Sequence, residues 1–404
     1  MENSNKIGKI LKDIEDIDII KELKRKLRRK KDLNSTSAPE QVAQLFYDLI
    51  QDLLQKGDIT TQSHLLSLVE YLGKVFISLD PVQFCIGNTI KKILHIIREE
   101  INESKKDKKL NLKEQKELII KAKNNIKKLK DFEIFKTNKN NEINVEKSDS
   151  NSDLNSSEKL IYINNAELDV PLTESNKSQI LDQISILISE IHSISETITE
   201  KKEIKDLIKD DDIILTTNYS EQILKILIEN KKTKKFKVFV CESAPKLREK
   251  SMAEELAKRK MDITIISDDD IYSVMRQFTK VKVFLGAKAI LVNGGLITYG
   301  GAYNICLSAS LFSNPVIIVG GTTKLTPMYS FKHELYNEYL SPDLIFGKNV
   351  KYHGDISNIQ FNNPAFDYVP PDLITMYATN YGIINPNCLY RSFSDIYDKE
   401  DYEI

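Results

Sequence analysis

The sequence contains no tryptophan and only four cysteines, and it lacks long hydrophobic runs. Cys85, Cys241, Cys306 and Cys388 lie far apart, without the close pairs of a disulfide framework or a zinc site. They indicate the reduced, buried thiols of a cytosolic protein. No stretch approaches the roughly 18 consecutive apolar residues of a membrane helix, and the first residues lack the apolar core of a signal peptide. We therefore expect a protein of the cytosol that has no membrane contact.

An excess of charge of one sign is also missing. The chain has 58 lysines and arginines against 59 acidic residues, a formal net charge of -1. Proteins whose main task is to neutralise nucleic-acid phosphates are usually basic, so we expect a protein partner or a small ligand and no direct nucleic-acid contact. The basic run at 21–31 either binds nucleic acid or an acidic partner, or forms the solvated end of a helix.

The first part of the 404-residue chain shows helical periodicity. Apolar side chains recur at three- and four-residue spacing over 7–27, and Ser37 and Pro39 begin a helix that runs through Leu54 and is closed by Gly57. Further helices fit 61–79, 81–103, 111–133 and 178–200. The segment at about 137–158 contains almost no apolar residue that could pack in a core, so we expect it to be a disordered insertion. We expect residues 1–205 to form a helical domain.

The second part alternates short β-branched runs with helical stretches. The expected strands lie at 212–217, 237–243, 263–266, 281–286 and 315–320, with helices at 246–260 and 269–278 between some of them. Continuous apolar strands with helical crossovers indicate a parallel sheet covered on both faces. The fold class is therefore α/β: a helical domain followed, over 206–404, by a doubly wound, mainly parallel, Rossmann-like sheet domain.

In such a sheet a ligand binds in a crevice beyond the carboxyl ends of the strands. The segments expected to line it are 217–220, 241–244, 293–295 and 320–323. The glycines of 292–301 and of 320–324 permit a phosphate cradle, but neither matches a dinucleotide fingerprint or a P-loop, and the alternative is a tight turn. Cys241 has no histidine nearby in sequence, which favours a packed thiol over a nucleophile.

The five histidines, at 64, 95, 192, 333 and 353, lack any spacing typical of metal ligands. We expect no metal site and no cofactor.

Three segments resemble one family. NPAFDYVPPDLIT (363–375) is similar to the closing signature shared by the alpha, beta and delta subunits of initiation factor 2B and by related sugar-phosphate isomerases. GAKAILVNGGLITYGGAYNICLSA (286–309) resembles the Gly-rich central segment of that family, and VFVCESAP (238–245) resembles its strand with an acidic end. The segments 86–102 and 388–397 resemble the beta-subunit branch.

The resemblance also shows where isomerase chemistry would lie, and this chain departs from it there. Asn218 stands at the position of the catalytic cysteine, and Gly295 stands at that of the catalytic aspartate. Thr298 and Tyr299 replace an Asn-Lys pair that holds substrate, and Asp80 replaces an arginine that binds phosphate. Without the thiol, the acid and both cations we expect no isomerase mechanism.

The resemblance thus implies a vestigial crevice and a regulatory role. The crevice would be lined by Asn218, Tyr219, Glu242, Asn293, Gly294, Gly295 and Tyr299. Subunit contact would involve Phe366, Tyr368, Pro370 and Pro371.

By the same resemblance the chain would be a non-catalytic scaffold of the guanine-nucleotide exchange factor for initiation factor 2. Its partners would be the delta, alpha, gamma and epsilon subunits, with catalysis in epsilon. It would contact the alpha subunit of initiation factor 2 and sense its phosphorylation.

Two alternatives stay open. One is an active sugar-phosphate isomerase, which Asn218 and Gly295 disfavour. The other is a sensor of the same fold that binds a sugar phosphate or a nucleotide, which Tyr299 and Asp80 disfavour.

Overall fold

The fold was analysed in a computed structural model of the chain. The described residues are 37–57, 59, 61–100, 102, 172–244, 249–329, 337–346 and 360–402. The helices expected at 7–27 and 111–133, the basic run and the insertion at 137–158 lie outside them. Among the described residues, no helix is both long and apolar enough to span a membrane.

Within the described residues, four helices form the amino-terminal part. They are α1 (Ser37–Lys56), α2 (Gln62–Leu79), α3 (84–100) and α4 (Glu174–Glu200). Their apolar faces form one core, in which the rings of Phe46 and Phe76 meet edge to face at 6.0 Å, and α1 packs against α4. Gly57 follows α1 with a φ of 71°, a left-handed conformation that favours glycine, as the sequence predicted for the helix end.

A seven-stranded sheet forms the second part. Its strands are β1 (Ile213–Thr216), β2 (Lys237–Cys241), β3 (Asp262–Ile266), β4 (Val281–Gly286), β7 (Val316–Val319), β10 (Met376–Thr379) and β11 (Gly382–Ile384). The order is β11-β10-β7-β4-β1-β2-β3, and every neighbouring pair is parallel except β10 and β11. The α/β class and the five expected strands are confirmed, because buried β-branched runs with helical crossovers form parallel sheets.

The helices of this part connect the strands or follow them. They are α5 (Lys202–Lys205), α6 (Glu221–Lys231), α7 (Glu249–Lys258), α8 (Ile271–Gln277), α9 (Ala302–Leu311), α10 (Asp343–Phe346) and α11 (Leu389–Ser394). Between α4 and β1 the chain runs through α5 alone, so the expected boundary at 205/206 falls in this connection. The boundary itself stays a prediction.

A second sheet was not expected from the sequence. It has four strands in the order β8-β5-β6-β9: β5 (Ala289–Leu291), β6 (Leu296–Tyr299), β8 (Leu325–Thr326) and β9 (Phe366–Val369). The segment 292–301, interpreted above as a Gly-rich turn, therefore supplies the β5–β6 hairpin. Strands this short, interrupted by glycines, give little periodicity in a sequence.

The turn between β7 and β8 contacts the helical part and so joins it to the sheet part. The side-chain amide of the buried Asn88, on α3, donates to the carbonyl of Thr323 at 2.9 Å and to Oγ1 of Thr326 at 3.0 Å. At the start of the turn, a Cβ on Gly321 would collide with the side chain of Ile194 on α4. Glycine at 321 is thus required by close packing.

The last residues of the chain pack against α3. Arg98 forms an ion pair with Asp401, whose side chain is fully buried, and a longer pair with Asp398 at 3.5 Å. Lys91 donates to the carbonyl of Tyr402 at 3.1 Å. Burial raises the pKa of the Asp401 carboxyl, and Arg98 opposes that rise. These contacts hold the carboxyl-terminal segment across the helical part.

We expect the substitution Arg98→Leu to cost about 1–3 kcal/mol of unfolding free energy, because it leaves the Asp401 carboxylate buried without its cation. The pKa of Asp401 should then rise further, so the loss should be larger at pH 8 than at pH 5, where protonation neutralises the carboxyl. Urea titrations at both pH values measure this. Lys74→Leu, which breaks the exposed pair with Glu70, is the control and should change little. Equal losses at both pH values would contradict the proposed cause.

Candidate functional site

At the ends of β1 and β2 the expected crevice residues are tied into a hydrogen-bond network. Oγ1 of Thr217 and Oγ of Ser243 lie 2.6 Å apart, and the backbone N–H of Asn218 donates to Oγ of Ser243 at 3.0 Å. Asn218 is buried and has a φ of 59°, and its side-chain amide donates to Thr217 at 3.3 Å. The residue at the position of the isomerase cysteine is thus turned into the protein.

The acidic residue that follows β2 is held in a similar way. Oγ of Ser267 donates to the Glu242 carboxylate at 3.0 Å, and the backbone N–H groups of Ser243 and Ala244 donate to Asp268 at 3.1 and 2.9 Å. Burial raises the pKa of Asp268, and these two hydrogen bonds oppose the rise. Glu242 therefore has a structural partner in the described part of the chain.

The other crevice residues lie in the β5–β6 turn, which the second sheet positions. The side-chain amide of Asn293 donates to the hydroxyl of Tyr368 at 3.0 Å and accepts from the backbone N–H of Gly295 at 3.0 Å. The buried hydroxyl of Tyr377 donates to the carbonyl of Gly294 at 2.7 Å. Gly294 has a φ of 78°, which permits this turn.

Tyr368 occupies the space beside Gly295 that an aspartate side chain would need. A Cβ at position 295 would lie 2.5 Å from Cε2 and 2.7 Å from the hydroxyl oxygen of Tyr368. The sequence indicated that the isomerase aspartate is missing. The structure adds that an aromatic ring from β9 fills its place.

The four residues expected to form the subunit interface lie on β9 and just after it. Phe366 is buried, and its ring meets that of Tyr299 at 5.5 Å. Tyr368, Pro370 and Pro371 are half-buried. Phe366 thus supports the surface from beneath, and the role of all four residues in subunit contact stays a prediction.

Two lysines were missed by the sequence analysis. Lys324, in the turn after β7, is 8% exposed, and Lys288 lies between β4 and β5. Burial lowers the pKa of Lys324 to about 8; Lys288 contributes to this shift, and Cys85 and Glu221 oppose it. A Cβ on Gly320 would lie 3.6 Å from Cδ of Lys324, so this side chain crosses the end of β7.

These lysines leave the expectation for the two motif positions unchanged, and the loss of the cations there stays a prediction. The motif positions 299 and 80 hold no cation, whereas Lys288 follows β4 and Lys324 follows β7. The ammonium of Lys288 donates to Gln83 and lies 5.6 Å from the centre of the Phe366 ring. The one signal in the sequence is the lysine of GGTTK (320–324), a segment whose glycines are equally typical of a tight turn.

The cysteines and histidines show no catalytic arrangement among the described residues. Cys85, Cys241 and Cys306 are buried as expected, and burial raises the pKa of Cys306 to about 12. The expectation was wrong for Cys388, which is exposed just before α11. Within the described ranges no group of three His, Cys, Asp or Glu side chains is placed to hold a metal ion. His333 and His353 lie outside these ranges.

We expect Gly295→Ala to destabilise the fold by roughly 1–3 kcal/mol, because the added methyl group meets the ring of Tyr368. Gly300→Ala is the matched control, since a Cβ there would have its nearest neighbour at 3.7 Å. Thermal unfolding of both variants measures the difference. The double variant Gly295→Ala/Tyr368→Ala should lose clearly less stability than the sum of the losses in the two single variants. Equal effects at 295 and 300 would contradict the steric account.

We expect Lys324→Met to raise the thermal midpoint at pH 7, because it removes a buried ammonium group. A folded-state pKa of about 8, below the ordinary 10.5, means that stability rises with pH between these values. In Lys324→Met the increase of stability with pH should be smaller. The contribution of Lys91 to this increase should remain, because burial also lowers the pKa of Lys91 to about 8. Calorimetry from pH 7 to 9.5 measures both effects. The exposed Lys74→Met is the control, and a lower midpoint in Lys324→Met would contradict the prediction.

Comparisons with known proteins agree in one family. The family model described as "Initiation factor 2 subunit family" matches residues 35–386. Translation initiation factor eIF2B subunit beta of Dictyostelium discoideum is 30% identical over 366 residues, 89% of this chain and 91% of that protein. The beta subunit of Schizosaccharomyces pombe is 32% identical over 366 residues, 87% and 90% of the two chains.

Solved structures show the same fold. The crystal structure of eIF2B beta from Chaetomium thermophilum has a TM-score of 0.63 at 19% identity, and the similarity covers 98% of this chain and 97% of that one. A chain of the tetrameric eIF2B-beta2-delta2 complex from C. thermophilum has a TM-score of 0.60 at 19% identity, with 97% and 98% covered. On the extent of the family match and the identity to these beta subunits, the chain belongs to the Initiation factor 2 subunit family.

Proposed function

We propose that this chain is a beta-type, non-catalytic regulatory subunit of the guanine-nucleotide exchange complex for translation initiation factor 2. The curated relatives that are 30% and 32% identical are both beta subunits of eIF2B, and the similarity spans about nine tenths of each. Nucleotide exchange would then be catalysed by another subunit.

One observation carries the non-catalytic assignment: Tyr368 fills the space beside Gly295. The backbone N–H and the side-chain amide of Asn218 are both engaged as well. An isomerase needs a nucleophile or base and an acid that both reach the substrate. Both positions hold residues that face protein groups, which supports a structural use of the crevice.

The partners follow from the same proposal. The C. thermophilum complex named above contains beta and delta subunits, so we propose that this chain pairs with a delta-type subunit. Alpha, gamma and epsilon subunits would complete the assembly. The finer part of the proposal is that the chain contacts the alpha subunit of initiation factor 2 and responds to its phosphorylation. A protein that distinguishes the phosphorylated from the unphosphorylated factor benefits from a rigid binding surface. The hydrogen bonds of Asn88, which join the helical part to the sheet part, support such rigidity.

An affinity capture of the tagged chain from its own cells tests the proposal, with the native mass measured and the captured proteins identified by peptide sequencing. We expect delta, alpha, gamma and epsilon homologues together with initiation factor 2. Capture repeated with the factor phosphorylated and unphosphorylated should yield different amounts of it. A lone homodimer would overturn the proposal, and equal capture of both forms would remove the sensing role.

Lys288 and Lys324 favour a second candidate function, the binding of a phosphorylated small molecule at the ends of β4 and β7. Two cations at this edge of a parallel sheet are suited to an anion. A thermal-shift series with sugar phosphates and nucleotides, on the wild type and Lys324→Met, tests it. A ligand at 100 times its Kd should add about 2.7 kcal/mol of stability to the wild type and little to the variant. No shift in the wild type would exclude this function for the compounds used.

A further inference from the structure

Lys324 places a buried ammonium group at the carboxyl end of β7. It lies in the turn Thr322–Lys324, and the residue is 8% exposed. Within the described residues, this ammonium group makes no hydrogen bond and no ion pair. A buried charge is costly unless it is paired, so an unpaired lysine here lowers the stability of the fold. A group that disfavours folding in this way indicates a use other than packing, because such departures concentrate at functional sites.

The backbone on both sides of Lys324 is held in place. The side-chain amide of Asn88 donates to the carbonyl of Thr323 and to Oγ1 of Thr326, the residues that flank this turn position. The lysine side chain passes Gly320, where a Cβ would lie 3.6 Å from Cδ of Lys324. The amine is therefore kept at the end of the sheet and does not extend into solvent as a surface lysine does.

Three neighbouring groups act on the charge of Lys324, and none of them holds it in an ion pair. They are Cys85 of α3, Lys288 after β4 and Glu221 at the start of α6. The Glu221 carboxylate forms an ion pair with Lys225 at 2.9 Å instead. Burial lowers the pKa of Lys324 from 10.5 to about 8, and Lys288 contributes to this shift. At neutral pH a part of the amine is therefore unprotonated and carries a free lone pair.

The thiol of Cys85 does not compete with this amine as a nucleophile. Burial raises the pKa of the thiol, so that it stays protonated at neutral pH. A lysine that is desolvated and lies near another cation is a typical nucleophile toward carbonyl carbon. The end of β7 also belongs to the edge of the parallel sheet at which small ligands bind. The position of Lys324 and its chemistry therefore agree.

We propose that Lys324 is a site of reversible imine formation with a small aldehyde. The lone pair of Nζ forms the bond to the carbonyl carbon, and the carbonyl oxygen leaves as water with the two hydrogens of the amine. The step needs no oxidant and no reductant. An exposed fraction of 8% favours a small carbonyl compound over a bulky one. This inference goes beyond the proposed function, because it requires neither another subunit nor a phosphate group.

Reductive trapping on the full chain tests the proposal. The chain is treated at neutral pH with limiting acetaldehyde and sodium cyanoborohydride, and peptide mass mapping locates the alkylated lysines. We expect Lys324 to be labelled at least roughly 10-fold faster than the exposed Lys74. Lys91 is the matched control, because burial also lowers its pKa to about 8 but its ammonium group donates to the carbonyl of Tyr402. Labelling of Lys324 no faster than that of Lys74 or of Lys91 would overturn the proposal.

The pH profile of the same reaction gives a readout on the unmodified sequence. The rate at Lys324 should level off above about pH 8, whereas the rate at Lys74 should continue to rise. The ratio of the two rates should therefore fall between pH 7 and pH 9.5, and this ratio does not depend on the strength of the reductant. A constant ratio would contradict the assignment to Lys324.

The variant Lys324→Arg gives a second readout, because a guanidinium group keeps the charge but does not form this imine. Without reductant, acetaldehyde should raise the thermal midpoint of the wild type, since it reacts with the folded site, and should leave that of the variant unchanged. Dilution of the aldehyde should reverse the shift. An equal shift in both proteins, or none in the wild type, would overturn the proposal and leave the proposed function standing.

Discussion

The hydrogen bonds that Asn88 donates to the turn after β7 fix the position of the helical part on the sheet part. The same turn is held from two other sides, because the backbone N–H of Thr322 donates to Asn380 and the hydroxyl of Tyr397 donates to the carbonyl of Leu325. Three distant segments therefore meet within a few residues. Lys324 is buried as part of this arrangement, so its low pKa follows from the junction of the two parts.

The residues expected to line the crevice direct their polar groups toward other protein groups. At the ends of β1 and β2 they bond to one another, as Thr217 and Ser243 do, and at the β5–β6 turn they bond to tyrosines. A catalytic site holds its polar groups toward substrate, whereas here the described groups stabilise the loops. These hydrogen bonds make the loops rigid, and in the proposed function this rigidity would support the subunit contact expected at β9.

The large sheet could be predicted from the sequence because five of its strands are continuous runs rich in β-branched residues. Asn218 and Gly295 could be identified because they depart from a known motif. The second sheet was not, because its strands have two to four residues. The contact of Tyr368 with Gly295 joins positions far apart in sequence, so no spacing could show it. Lys324 was hidden for another reason: its burial depends on packing around the turn, which local sequence does not encode.

Tyr368 has a consequence for how this crevice could change over generations. An aspartate at 295 would require the ring of Tyr368 to move or to be replaced by a smaller side chain. Shrinking the ring alone opens a void and frees Asn293 from its hydroxyl partner. Each single change should therefore cost stability, so we expect positions 295 and 368 to change together or not at all among related chains.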